Sequence, residues 1–440
     1  MAIGPSAPRV KPSAGPTARL LRNRNFSALL IGYAASVTGL YVGNVVIEWF
    51  ISASNTARQA AILLTLLGII EFVPNLTIGW FAGAWADRYD RRRLMILTQL
   101  GRGATFVALT VLVVREGFNP LVVLAAVFVL SSFGSIFGPA SNAFLPRIVD
   151  LTDLTSANGM LQFGGMVSGF IGSPLGGVLV LLFGIGVGFL TDSVLYAMSA
   201  LAFGLLLVPL IGRSSAHPIP KEPSSQFAQV KAGLTFLRSQ RALLTLTLVG
   251  MVLNFFTYYL VFVVLYTRSF LHAGPDVFGL LLGANAVGYA VGALLPHRLK
   301  TDRSPGIWIP VAWGLSGLPL LVLILVPLAP VAVVSMGCLG GLSSIVGVTF
   351  TSVVQRTVPD DFLGRFFATD SALSYAMIPV GLAVGGLLIV SYGVGPAFLV
   401  AGTGIVVAGL SLLFSREVRR WGKPPAAAGP ALSAPDGRGR

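Results

Sequence analysis

Twelve apolar runs, each long enough to carry an α-helix across a lipid bilayer, constrain this sequence more than any other feature. A helix rises about 1.5 Å per residue, so about 20 predominantly apolar residues cross the hydrocarbon core. The runs are Phe26–Phe50, Gln59–Ala86, Leu94–Val114, Pro120–Leu145, Ala157–Phe183, Gly186–Leu210, Ala242–Thr267, Val277–Leu299, Ile307–Val326, Pro330–Val354, Phe366–Ser391 and Gly395–Phe414. Several contain Gly or Pro, which membrane helices tolerate where neighbours satisfy the backbone. Only 10% of the 440 residues are charged, against about 25% in soluble domains. Lipid is therefore the expected solvent, and the fold class is all-α integral membrane.

Lys and Arg give these spans an orientation. With the N-terminus inside, 26 of the 30 basic residues fall in the inner segments, and only Arg58, Arg115 and Arg268 fall in outer loops. Arg102 lies within a span. Inner loops of membrane proteins carry just such an excess, which predicts a plasma (inner) membrane protein with both termini cytoplasmic. The net charge of +14 then reads as a topology signal with attraction to anionic lipid; it does not imply nucleic acid. Residues 1–25 form a Pro-rich basic tail without the apolar core of a cleavable signal peptide, so the first span is expected to direct insertion.

The longest interruption, Ile211–Arg241, is polar and separates two sets of six spans. The expected organisation is a tail (1–25), a six-helix half (26–210), a cytoplasmic linker (211–241), a second half (242–414) and a C-terminal tail (415–440). A shift of 209 residues places Gly79 and Gly83 on Gly288 and Gly292, Arg147 on Arg356, and Gly172, Gly176 and Gly177 on Gly381, Gly385 and Gly386. Six spans return the chain to the side it left. The halves therefore form a parallel repeat, as in transporters with two like halves.

After span two comes "GAWADRYDRRRL", six charges in twelve residues from Gly83 to Leu94. Gly83 and Gly79 permit close helix approach. Asp87, at a helix C-terminus, meets the unfavourable end of the macrodipole and needs a cationic or helix N-terminal partner. With two halves of six spans and a long middle loop, this stretch resembles the major facilitator superfamily, whose loop signature is Gly-x-x-x-Asp-Arg-x-Gly-Arg-Arg. Gly83, Asp87, Arg88, Arg91 and Arg92 match it, and Asp90 replaces the second Gly. That variant is similar to the drug-exporter branch containing macrolide and siderophore efflux proteins. The resemblance covers residues 26–414 and implies that the motif latches the cytoplasmic side in one conformation. "GALLPHRLKTDR" from Gly292 is a degenerate second copy, with Pro296 in place of the Asp. "GSPLGGVLV" in span five resembles the exporters' glycine-proline motif. No basic residue occupies span four, so the arginine-based proton relay of many antiporters is not expected.

Ionisable side chains within spans cost about 2.5–3.5 kcal/mol each on insertion scales and therefore mark candidate chemistry. Glu71 in span two is the leading candidate proton carrier, with Asp192 in span six, Asp370 in span eleven and Glu48 in span one as further candidates. Arg102 of span three is expected to pair with an acid. Aromatic and amide side chains suit an amphipathic cargo, and candidates are Tyr33, Tyr41 and Asn44 of span one, Asn254, Phe255, Phe256 and Tyr258 of span seven, Asn285 and Tyr289 of span eight, and Tyr375 of span eleven.

These features predict a secondary transporter, an exporter of hydrophobic or amphipathic small molecules exchanged for protons. It is expected to work as a monomer, with no metal or other cofactor. Cys338 is the only cysteine and builds no disulfide framework, and no phosphate-cradling Gly-rich motif is present to drive an ATP-fuelled pump. Nothing resembles an enzyme's catalytic cluster. A proton-coupled importer of a small nutrient and a non-transporting receptor or assembly factor on the same scaffold are the alternatives.

Overall fold

The computed structural model describes residues 16–206 and 226–421. All regular structure among them is helical, with 12 helices long and apolar enough to cross a membrane. These spans are α1 (Arg24–Ala53), α2 (Ala57–Gly79), α3 (Arg91–Glu116), α4 (Pro120–Arg147), α5 (Leu154–Phe183), α6 (Ile185–Gly204), α7 (Arg241–Ser269), α8 (Pro275–Leu299), α9 (Pro305–Leu325), α10 (Ala329–Thr357), α11 (Phe362–Tyr392) and α12 (Val394–Phe414). Each coincides with one of the twelve apolar runs. Residues 207–225, covering the end of the sixth run and half of the linker, lie outside the described residues, as do the two tails beyond 16 and 421.

Short polar residues start several of these helices by binding the otherwise orphaned first N–H groups. Asn23 accepts from Asn25 N and Phe26 N ahead of α1, and Thr56 forms a reciprocal capping box with Gln59 ahead of α2. Gly184 and Gly393 end α5 and α11 at φ values of 82° and 87°, a left-handed conformation that a side chain would strain. These two glycines also stand 209 residues apart, so the repeat extends to a shared turn conformation.

Two compact units divide the described residues. The first draws on Met1–His217 with His272–Gly283, the second on Pro218–Leu271 with Ala284–Arg440. The opening turns of α8 thus group with the first unit, although the sequence assigns them to the second half. The glycine-proline stretch of α5 accounts for this. A methyl group on Gly283 would lie 2.6 Å from Pro174 Cγ, and one on Gly279 or Gly177 would strike the backbone of Ser173 or Pro275.

Within the second unit, Gly288 and Gly292 of α8 pack against Gly337 and Gly341 of α10 so closely that a Cβ on either α8 glycine would meet backbone. Small residues bring membrane helices together in this way. Within the described part of the linker, Gln226–Ser239 is a helix. It docks on α11 through Leu237, which is buried, and through Phe236 stacked on Phe362 at 5.1 Å.

Candidate functional site

The charged turn that follows α2 is an assembly of helix caps. The helix containing α2 continues to Arg88, and Asp90 caps α3 by accepting from Arg93 N at 2.8 Å. This explains the Asp where the superfamily pattern has Gly: a carboxylate suits a helix N-terminus. Arg91 Nη1 donates to Ala143 O at 2.7 Å, beside the end of α4. Arg92 donates from Nε to Phe203 O at 3.0 Å and from Nη2 to Gly204 O, the last carbonyls of α6. Guanidinium groups on helix C-terminal carbonyls neutralise both orphaned acceptors and the negative dipole end. Arg88 is exposed. The side chains of Gly83 and Asp87 lie outside those described. In the degenerate second copy, Asp302 pairs with Arg356 at 3.0 Å and ties that loop to the end of α10. Arg356 hydrogen-bonded to its carboxyl holds Asp302 below the usual carboxylate range.

The intramembrane acids occupy three different settings. Glu48 of α1 and Glu71 of α2 lie close enough to interact electrostatically, and Glu48 Oε2 is shut away without a hydrogen-bond partner. Glu71 stands one turn before Pro74, which breaks the regular backbone ladder of the helix. Pro74 has no N–H to offer Ile70 O, and beside it Asn75 donates from its side chain to Glu71 O at 3.3 Å while accepting from Ser135 of α4 at 2.9 Å. Asp192 of α6 is completely buried, and neither carboxyl oxygen has a partner. Asp370 of α11 is half-buried and accepts from Thr247 at 2.6 Å.

Arg102 departs from expectation. No acid among the described residues pairs with it. Its Nε donates to Leu130 O at 3.4 Å, and its guanidinium carbon lies 5.9 Å and 5.5 Å from the ring centroids of Phe137 and Tyr196. The expected acid is replaced by a carbonyl and two aromatic faces, a recognised way to hold a desolvated guanidinium.

The ten aromatic and amide candidates divide in the structure. Phe255 and Phe256 line a cavity of about 500 Å³ with Leu248, Met251, Val252 and Met377. It sits beside a break in α7, where Phe256–Tyr258 forms one 3₁₀ turn. Tyr258 is buried, donates to Ala397 O at 2.7 Å, and lies so close to α11 that a Cβ on Gly385 would strike its ring. Asn285 likewise commits its amide to Met336 O at 3.2 Å. Tyr33 and Tyr41 lie against Gly165 and Gly169 of α5. Asn44 and Asn254 are half-buried, whereas Tyr289 and Tyr375 are exposed at 40% and 52%. Phe255 and Phe256 are the two candidates among the residues that line the cavity. No polar or aromatic contrast in the sequence marks its Met and Leu lining, because apolar residues inside an apolar run carry none. The two methionines were the available signal, since flexible thioethers recur at adaptable binding surfaces.

Twelve membrane helices in two sets of six are a fold met among solved membrane transporters. A solved bacterial homologue of the human lysosomal transporter Spinster shares the fold with a TM-score of 0.66, at 16% identity, over 93% of this chain and 97% of that one. The chain belongs to the transmembrane secretion effector family, whose pattern matches residues 15–428. It is 28% identical to the MFS-type transporter YfiS of Bacillus subtilis, covering 81% of this chain and 85% of that one. The enterobactin exporter EntS of Citrobacter koseri is 26% identical over 91% of this chain and 94% of its own length. Macrolide efflux protein A of Streptococcus pyogenes is 23% identical over 82% and 89%. The family's work is transport across membranes, so the protein is a transporter and not an enzyme.

Proposed function

We propose that this protein exports hydrophobic or amphipathic small molecules in exchange for protons, by alternating access. The observation that carries this reading is the Glu48–Glu71 pair inside the first unit. Two carboxyls within electrostatic reach of each other, one with an oxygen shut away from any donor, disfavour the doubly ionised state, because like charges repel. Such a pair binds and releases a proton when its access to water changes sides. The backbone irregularity at Pro74 and Asn75 places a point of give next to it. The apolar cavity beside the α7 break supports a cargo recognised by apolar and aromatic surface. Relatives named for export of enterobactin and of macrolides support the outward direction.

The distribution of Lys and Arg supports a cytoplasmic membrane location with both termini inside. Gly83, Asp87 and Arg88 remain the proposed cytoplasmic latch, and Arg91 and Arg92 fix the loop that carries them. The six-helix halves, 26–210 and 242–414, are the proposed moving parts, in a protein that works as a monomer.

Proteoliposomes test the coupling. Glu71→Gln should keep exchange of a labelled macrolide or enterobactin between the two sides while its pH-driven export falls by about tenfold or more. If Glu71→Gln left substrate-driven proton movement intact, Glu71 would not be the carrier.

A further inference from the structure

A second pair of ionisable groups lies in the same unit, between α1, α3 and α6. Asp192 is 0% exposed and Arg102 is 8% exposed, yet among the described residues neither makes an ion pair. Asp192 and Tyr196 stand four residues apart on one face of α6, and the Tyr196 ring is the face over which Arg102 lies. Phe106 completes the layer, stacked on Tyr196 at 5.8 Å. Gly43 of α1 makes the room: a Cβ there would sit 2.8 Å from Phe106 and 3.3 Å from Asp192 Oδ2.

A carboxylate buried with no donor and no counter-ion is strongly disfavoured, so the arrangement fits a neutral, protonated acid. The surroundings narrow what could balance its charge after ionisation. α5 contains no ionisable residue between Leu154 and Phe183. On α1, Tyr33 and Tyr41 lie against the α5 glycines, and Glu48 is within electrostatic reach of Glu71. On α3, Arg102 is the one charged side chain directed at this layer. Most of its donors are uncommitted, because Leu130 O takes one of five.

We propose that Asp192 is a proton site whose counter-ion is Arg102. With the carboxyl protonated, Arg102 rests on the Leu130 carbonyl and the two rings. When the proton leaves to water, Arg102 pairs with the carboxylate across Tyr196. The importance of this switch for export rests on the proton-coupled reading above, but the site itself is testable without cargo.

Infrared spectra of the full chain in lipid nanodiscs report protonated carboxyls by their C=O stretch. At neutral pH, Asp192→Asn should remove one carboxylic-acid contribution that Glu48→Gln and Glu71→Gln leave in place. On alkalinisation the wild-type contribution should fade, and in Arg102→Gln it should persist where the wild type has lost it. An Asp192→Asn spectrum identical to wild type at neutral pH would overturn the site. Wild type and Arg102→Gln fading together would overturn the counter-ion. If Asp192→Asn does not fold, Asp192→Glu keeps the acid and moves its band, which identifies the same group. Wild-type protein that moves no protons with any cargo would sink the export reading while leaving this test standing.

Discussion

Replacing Arg92 with Ala should destabilise the first unit, because this side chain is the cap of α6 as well as part of the charged turn. It supplies two charge-assisted hydrogen bonds, to Phe203 O and Gly204 O. Phe203 O keeps a second donor in Leu206 N at 3.3 Å, so the loss of the two bonds is not complete. A hydrogen bond to a charged group contributes about 1.5–3 kcal/mol, and a cation at a helix C-terminus about 0.3–1 kcal/mol. Arg92 is only half-buried, so the low end applies and the net loss is about 1–2 kcal/mol. For a unit of this size that corresponds to a fall of about 2–8 °C in melting temperature. Thermal unfolding of detergent-solubilised protein, followed by tryptophan fluorescence, reads this directly. Arg92→Lys should recover part of the loss, since an ammonium is a point charge that cannot span two carbonyls. Arg93→Ala is the control, because only the backbone of Arg93 is engaged. Arg92→Ala and Arg93→Ala melting together with wild type would refute the capping argument and leave Arg92 with a purely conformational role.

Two further outcomes follow from the second unit. Gly288→Ala forces a Cβ onto the Gly337 backbone, whereas Gly337→Ala meets only Ala284 O at 3.5 Å. Overpacking costs about 1–3 kcal/mol and Ala gains about 1 kcal/mol in a helix. Gly288→Ala should therefore melt below Gly337→Ala; the reverse order would contradict the seam between α8 and α10. The Asp302–Arg356 pair lowers the titration of an exposed carboxyl. Its contribution is therefore complete above the ordinary range near about 3.9 and disappears as pH falls through the lower folded value. Arg356→Gln should raise the Asp302 titration, followed by carboxyl NMR, at a stability cost below about 1 kcal/mol. An unmoved titration would contradict the pairing.

The spans were legible because twenty apolar residues in succession have few other physical solutions. The repeat was legible through glycines, which mark places where backbone meets backbone. Interactions that depend on tertiary packing were not. The break in α7 falls on Phe256, Thr257 and Tyr258, which carry no turn signal of their own. It is accommodated by Gly381 and Gly385, more than a hundred residues away. Asp90 looked like a departure from a family pattern and is a helix cap. Arg102 reads as half of an ion pair because a buried cation needs compensation, but sequence does not reveal that aromatic rings supply it. The helix Gln226–Ser239 was hidden in a polar linker because its apolar face is short and is completed by α11.

Proton movement in proteoliposomes containing the wild-type protein tests the central claim most directly. With a dye inside reporting pH and an enterobactin or macrolide gradient imposed across the membrane, the account predicts proton flux opposite in direction to the substrate and absent from empty liposomes. Substrate movement with no accompanying proton movement would contradict it.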